Sequence, residues 1–104
     1  MVIVASAQGF SIADPDDFSR FHVDAAVVSP GDFAALLEGS TVVSAHVEPD
    51  HVWVATTFIA DALDVARNQS RRQGLDAMLA FAAKKGWLDE SGSKIAAHVE
   101  TGER

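Results

Sequence analysis

Residues 41–58, TVVSAHVEPDHVWVATTF, decide how this chain is read. Val43, Ala45 and Val47 alternate with Val42, Ser44, His46 and Glu48. After Pro49-Asp50, the residues Val52, Val54, Thr56 and Phe58 alternate with His51, Trp53, Ala55 and Thr57. A period of two marks half-buried strands, because successive strand side chains point to opposite faces. Proline pre-sets the turn dihedral and aspartate tolerates the next position, so the stretch reads as a hairpin. Its register stays open, since a type I turn fits a two-residue loop poorly.

Upstream, Phe21, Val23, Ala25 and Val27 alternate with His22, Asp24, Ala26 and Val28, which gives a strand over 21–28. Ser29 then caps a helix, with Pro30 at its first position and Asp32 where its charge suits the helix dipole. Phe33, Leu36 and Leu37 form its buried side, and Gly39 is expected to end it in a left-handed conformation. Downstream, Ser70 and Gln73 make a capping box ahead of the stripe Leu75, Met78, Leu79 and Ala82. Lys84 and Lys85 suit the negative end of that dipole, and Gly86 is its stop; only Gly74 weakens the helix. Residues 59–69 remain ambiguous between an irregular segment and a separate helical turn, because their apolar positions do not extend the stripe backwards. A loop at 89–92 leads to a last strand, in which Ile95, Ala97 and Val99 oppose Lys94, Ala96, His98 and Glu100.

In order this is β-α-β-β-α-β, so the expected fold is an α+β, ferredoxin-like two-layer sandwich. The expected organisation is one domain over 1–104, with a core at 21–100, an N-terminal extension at 1–20 and a tail at 101–104. The extension offers an edge strand at 2–5 and a polar turn around 13–17. A chain of 104 residues, 48% apolar, suffices for one hydrophobic core.

Composition excludes several chemistries. There is no cysteine, which removes disulfides, thiol catalysis and thiolate zinc sites. Fifteen acidic against eight basic side chains, net charge −7, repel phosphate backbones and anionic membrane surfaces, so neither nucleic acid nor membrane is an expected partner. The apolar run after Met1 is too short for a signal or a span, which makes the cytoplasm the expected compartment. No cofactor is expected: no glycine-rich phosphate loop and no nucleophile elbow occur, and residues 14–17 lack the glycine and distal glutamate of a calcium loop.

If the helices cover the face carrying Val23, Val43, Val54 and Val99, then His22, Asp24, His46, Glu48, His51, Trp53, His98 and Glu100 share the opposite, open face. Ferredoxin-like order puts the first and third core strands at the centre. His46 and His98 then fall on opposite edges, roughly 14 Å apart at about 4.8 Å per strand. They cannot share a metal ion within one chain, and no metal site is expected. His22 and Asp24 lie beside His51 and Trp53 instead. A carboxylate orients an imidazole for proton exchange, so His22, Asp24 and His51 are the catalytic candidates. Trp53, with His46, supplies a flat wall for a ligand.

Arg67, Arg71 and Arg72 gather at a helix N-terminus, where the dipole disfavours cations. They become sensible there if an anion, carboxylate or phosphate, binds between them, or if Asp61, Asp64 and Asp76 neutralise a solvated face. Small residues Ala26, Ala55 and Ala96 around Trp53 suit packing against a second copy, giving a homodimer through the sheet face. Two functions fit: a dimeric binding or accessory module for a small organic ligand, organic acids included, or a cofactor-independent isomerase, hydrolase or oxygenase with a His/Asp acid–base pair. Whether the chain is an enzyme is left open by its residues, and an open sheet face is also polar simply because it meets water.

Overall fold

A computed structural model describes residues 1–18, 20–46 and 50–100. Val47 and Glu48, assigned above to the two faces of a strand, Pro49 of the expected turn, and the tail at 101–104 lie outside the described residues. The elements in chain order are β1 (Val2–Ser6), β2 (Gly9–Ala13), β3 (His22–Asp24), α1 (Pro30–Gly39), β4 (Val43–Ala45), β5 (His51–Ala55), α2 (Thr56–Leu63), α3 (Gln69–Lys85) and β6 (Lys94–Glu100). The architecture is α+β: one mixed six-stranded sheet in the order β2-β1-β3-β6-β5-β4, with the helices against one face. No helix among the described residues is long and apolar enough to cross a membrane.

The ferredoxin-like topology is corrected by this strand order. Residues 56–63, read in part as the end of a strand, form α2. Ile59 and Leu63, one turn apart, are both fully buried on its inner side, and Ala60 and Ala62 favour a helix over an extended chain. One helix between β5 and β6 would return the chain parallel to β5. Two helices reverse it, so β6 runs antiparallel to β5 and bonds directly to its edge. The N-terminal extension completes the change. β1 pairs in parallel with one edge of β3, and β6 takes the other edge, also in parallel. β6 therefore lies between β3 and β5, where the ferredoxin-like arrangement would bring those two strands together.

The alternation itself holds. Val43 stands opposite Val54, Val54 opposite Ile95, Val52 opposite Ala97 and Val23 opposite Val99, all on the helix-covered face. These side chains join Ile3, Ile59, Leu63, Leu75 and Ala82 in one core, with Phe33 and Leu37 of α1 packed against it. Full burial of an aliphatic side chain contributes roughly 1.5–3 kcal/mol, so this cluster is the main stabilising term.

Local signals fare unevenly. The Ser29 hydroxyl caps α1 by accepting from the Asp32 N–H at 3.1 Å, as read. Gly39 is the last helical residue instead of a left-handed stop; extended Ser40 closes the helix by donating its N–H to the Leu37 carbonyl. The cap of α3 is Asn68, whose side chain accepts from the Arg71 N–H at 3.1 Å, so Ser70 and Gln73 fall inside the helix. Gly86 ends α3 with φ +77°, as expected. The strand at 21–28 shrinks to β3 because the Asp24 carboxylate accepts from the Ala26 N–H at 2.9 Å and turns the chain. The edge strand at 2–5 exists as β1 but sits inside the sheet, and β2 is the true edge.

Gly74 has a packing reason. A Cβ there would stand 2.4 Å from Cε2 of Phe18, so the ring lies directly against the helix backbone. Arg71, one turn earlier, holds the same N-terminal loop: its Nε and Nη2 donate to Asp16 at 2.9 and 3.2 Å, and Nη1 donates to the Leu63 carbonyl at 3.3 Å.

Candidate functional site

The insertion of β6 lines up the histidines. His98 is in register with His22 of β3 on one side and with His51 of β5 on the other. His46 follows β4 and completes the row, its ring centroid 5.7 Å from that of His51 and 4.5 Å from Trp53. The His51 and His98 rings meet edge to face, with centroids 5.5 Å apart. The placement of His46 and His98 on opposite sheet edges is thereby corrected. His98 is on an interior strand, and a single strand, β5, separates it from β4.

His22, His51 and His98 each lie near a carboxylate, and in no case is it Asp24, the one expected to orient His22 or His51. His22 Nε2 lies 3.1 Å from Glu100 Oε2, a diagonal contact on the same face, since the parallel register pairs His22 with His98 and Asp24 with Glu100. Asp24, expected to orient His22, spends its carboxylate on the Ala26 N–H. His51 Nδ1 is 2.8 Å from Asp50 Oδ1, and the other oxygen of Asp50 stands 3.7 Å from His98 Nε2. The Asp50 carbonyl accepts from the Val99 N–H at 2.7 Å, which fixes this residue against β6. The His51 hydrogen bond holds the Asp50 carboxyl below the usual carboxylate range, against an opposing push from desolvation. When the His51 ring is neutral and gives Nδ1–H to this carboxylate, its lone pair is on Nε2.

Beside this row is a cavity of about 360 Å³ lined by Phe18, Phe21, His51, Met78, Phe81, Ala82, Trp87, Ile95, Ala96 and His98. Its origin is a change of neighbour along one edge of β6. Leu88 bridges Ile95, and the Ala96 N–H donates to the Trp87 carbonyl at 2.7 Å; from His98 onward, β3 takes over that edge. Side chains from both faces of the sheet reach the opening at the changeover. Phe81 and Trp87 meet edge to face at 5.8 Å and remain about half exposed, at 53% and 47%. Met78 and Ala82 come from the inner side of α3, and Phe18 is positioned by Gly74 and the Arg71–Asp16 clamp.

The predicted site residues are thus brought together in part. His51 lines the cavity, and His22, His46 and Trp53 stand in the adjoining row. The arginines do not reach it. Arg71 is engaged by Asp16 and Leu63, Arg72 borders a separate shallow depression near Thr56 and Asp76, and Arg67 is exposed in the turn after α2. Asp50, Phe18, Phe21, Phe81 and Trp87 were not singled out as site residues by the sequence reading. Asp50 was visible as the neighbour of His51 but read as a turn residue, and Trp87 directly follows the helix stop. Among the described residues, no three His, Asp or Glu side chains converge in metal-binding geometry. Comparison with known protein families, curated proteins and solved structures returns no match.

Proposed function

We propose that the chain is a binding module for a small, largely apolar organic molecule carrying one or two hydrogen-bonding groups, held in the cavity beside β6. The cavity carries this reading. Aromatic walls joined by a few polar groups are what small-molecule sites consist of, and about 360 Å³ falls within their range. Phe21, Phe81 and Trp87 would grip a flat apolar body, while His51 and His98 would fix its polar end. The arginines give no support to an organic acid, because none lines the cavity. A second copy of the chain is assigned to the adjacent sheet face, where Ala55 and Ala96 flank Trp53. The pairing of Trp53 with His46 gives that tryptophan a partner within the chain as well.

Trp87 supplies the readout. In a Trp53→Phe background, titration with small ring compounds is expected to change Trp87 fluorescence saturably, and Ala96→Phe, which fills the cavity, is expected to abolish the change. A saturable signal that survives Ala96→Phe would place binding elsewhere.

A further inference from the structure

We infer that the cavity is also a proton-transfer site, with His51 as general base and His98 as general acid toward an enolisable carbonyl compound bearing an apolar ring. The inference rests on the binding reading above and adds a reaction to it. Both imidazoles line the same cavity with their rings 5.5 Å apart, so two adjacent groups of one small molecule can meet both. Asp50 bridges them, at 2.8 Å from His51 Nδ1 and 3.7 Å from His98 Nε2. The shorter contact fixes the His51 tautomer and leaves Nε2 as the base; the longer one exceeds hydrogen-bond range and leaves the His98 nitrogen able to donate to a ligand oxygen. Asp50 itself does not line the cavity and acts as a positioning residue.

Among the described residues, no serine, threonine, lysine or carboxylate lines this cavity, so the groups it offers for chemistry are the two imidazoles, which suit acid–base work. Enolisation needs nothing more. His51 Nε2 takes the proton from the carbon beside the carbonyl, and the C–H electron pair becomes the C=C bond of the enol. The carbonyl π pair moves to oxygen, which takes a proton from His98. Substrate and product are isomers, and the two rings reset by exchanging one proton through water, His98 being 52% exposed. A neutral carbonyl group also suits a site beside Asp50 in a chain of net charge −7, which would repel a carboxylate.

The test uses the intact chain with two neutral ring ketones, 2-tetralone and 1-phenylbutane-1,3-dione. Binding is read by saturation-transfer NMR and deuterium uptake from D2O by proton NMR. Wild type is expected to bind and to accelerate uptake by about 10²-fold or more over the same concentration of free imidazole. His51→Gln and His98→Gln, which keep a hydrogen-bonding side chain at the polar end, are expected to bind more weakly than wild type and, at saturating ketone, to lose the acceleration. Asp50→Asn should bind, react more slowly and show a displaced pH profile. Binding without accelerated uptake, or uptake unchanged in His51→Gln, overturns the proton-transfer inference and leaves the binding reading standing. No binding of either ketone overturns both.

Discussion

A methyl group added at Gly74 would stand 2.4 Å from the Phe18 ring, which sets two effects against each other. Alanine in a helix interior gains about 1 kcal/mol over glycine, whereas forcing a side chain into a filled space costs typically 1–3 kcal/mol. The clash wins, because the Arg71–Asp16 clamp holds the loop that carries Phe18. Gly74→Ala should therefore lower stability in urea unfolding, and adding Phe18→Ala should recover the helix gain against the Phe18→Ala background. Alternation of polar and apolar residues was enough to put all four histidines on one face. It could not say which carboxylate meets which ring, because that depends on strand neighbours. Asp50 in particular shows its role only once β6 lies beside it and the Val99 N–H anchors its carbonyl.

Among the elements, α2 has the largest consequence for its length. It is eight residues, Thr56–Leu63, and its presence reverses the direction of β6. The segment was legible as alternating through Phe58 and ambiguous from 59 onward; a strand reading and a helix reading share Ile59, and the burial of Leu63 one turn later separates them only in three dimensions. Truncating Ile59, which is fully buried, to alanine should cost about 2–5 kcal/mol and is measurable by denaturant unfolding. The loop clamp has a pH signature. The Arg71 hydrogen bond holds the Asp16 carboxyl below its ordinary value. A carboxyl lowered in the folded state contributes stability that is present above its ordinary pKa and is lost as pH falls through the lowered one. Wild type should thus lose stability below about pH 4 more steeply than Arg71→Ala, and matching acid limbs in the two proteins would remove the clamp from the account. The arginine cluster illustrates a related limit of sequence: three cations at a helix start suggest an anion, but the partner of Arg71 is a carboxylate 55 positions away along the chain.

For the whole molecule, the α+β class and most elements were readable from period, caps and turns, and the sheet order was not. Order depends on which edges remain free, and the N-terminal hairpin of β1 and β2 occupies the edge of β3 that a ferredoxin-like last strand would need. The cavity was equally invisible, since it arises where β6 exchanges one neighbour for another. The sheet face remains the surface proposed for a second copy. Sedimentation velocity should give a dimer for wild type and a monomer for Trp53→Glu, and a wild-type monomer would end that assignment while leaving the cavity untouched. The central claim, that this cavity takes a small organic molecule, is tested most directly by backbone and side-chain NMR shift mapping against a set of small ring compounds, 2-tetralone among them. The account predicts saturable shifts concentrated at Phe21, His51, Met78, Trp87, Ala96 and His98, with Ala96→Phe removing them; shifts scattered over the surface, or centred on Arg67 and Arg72, would contradict it.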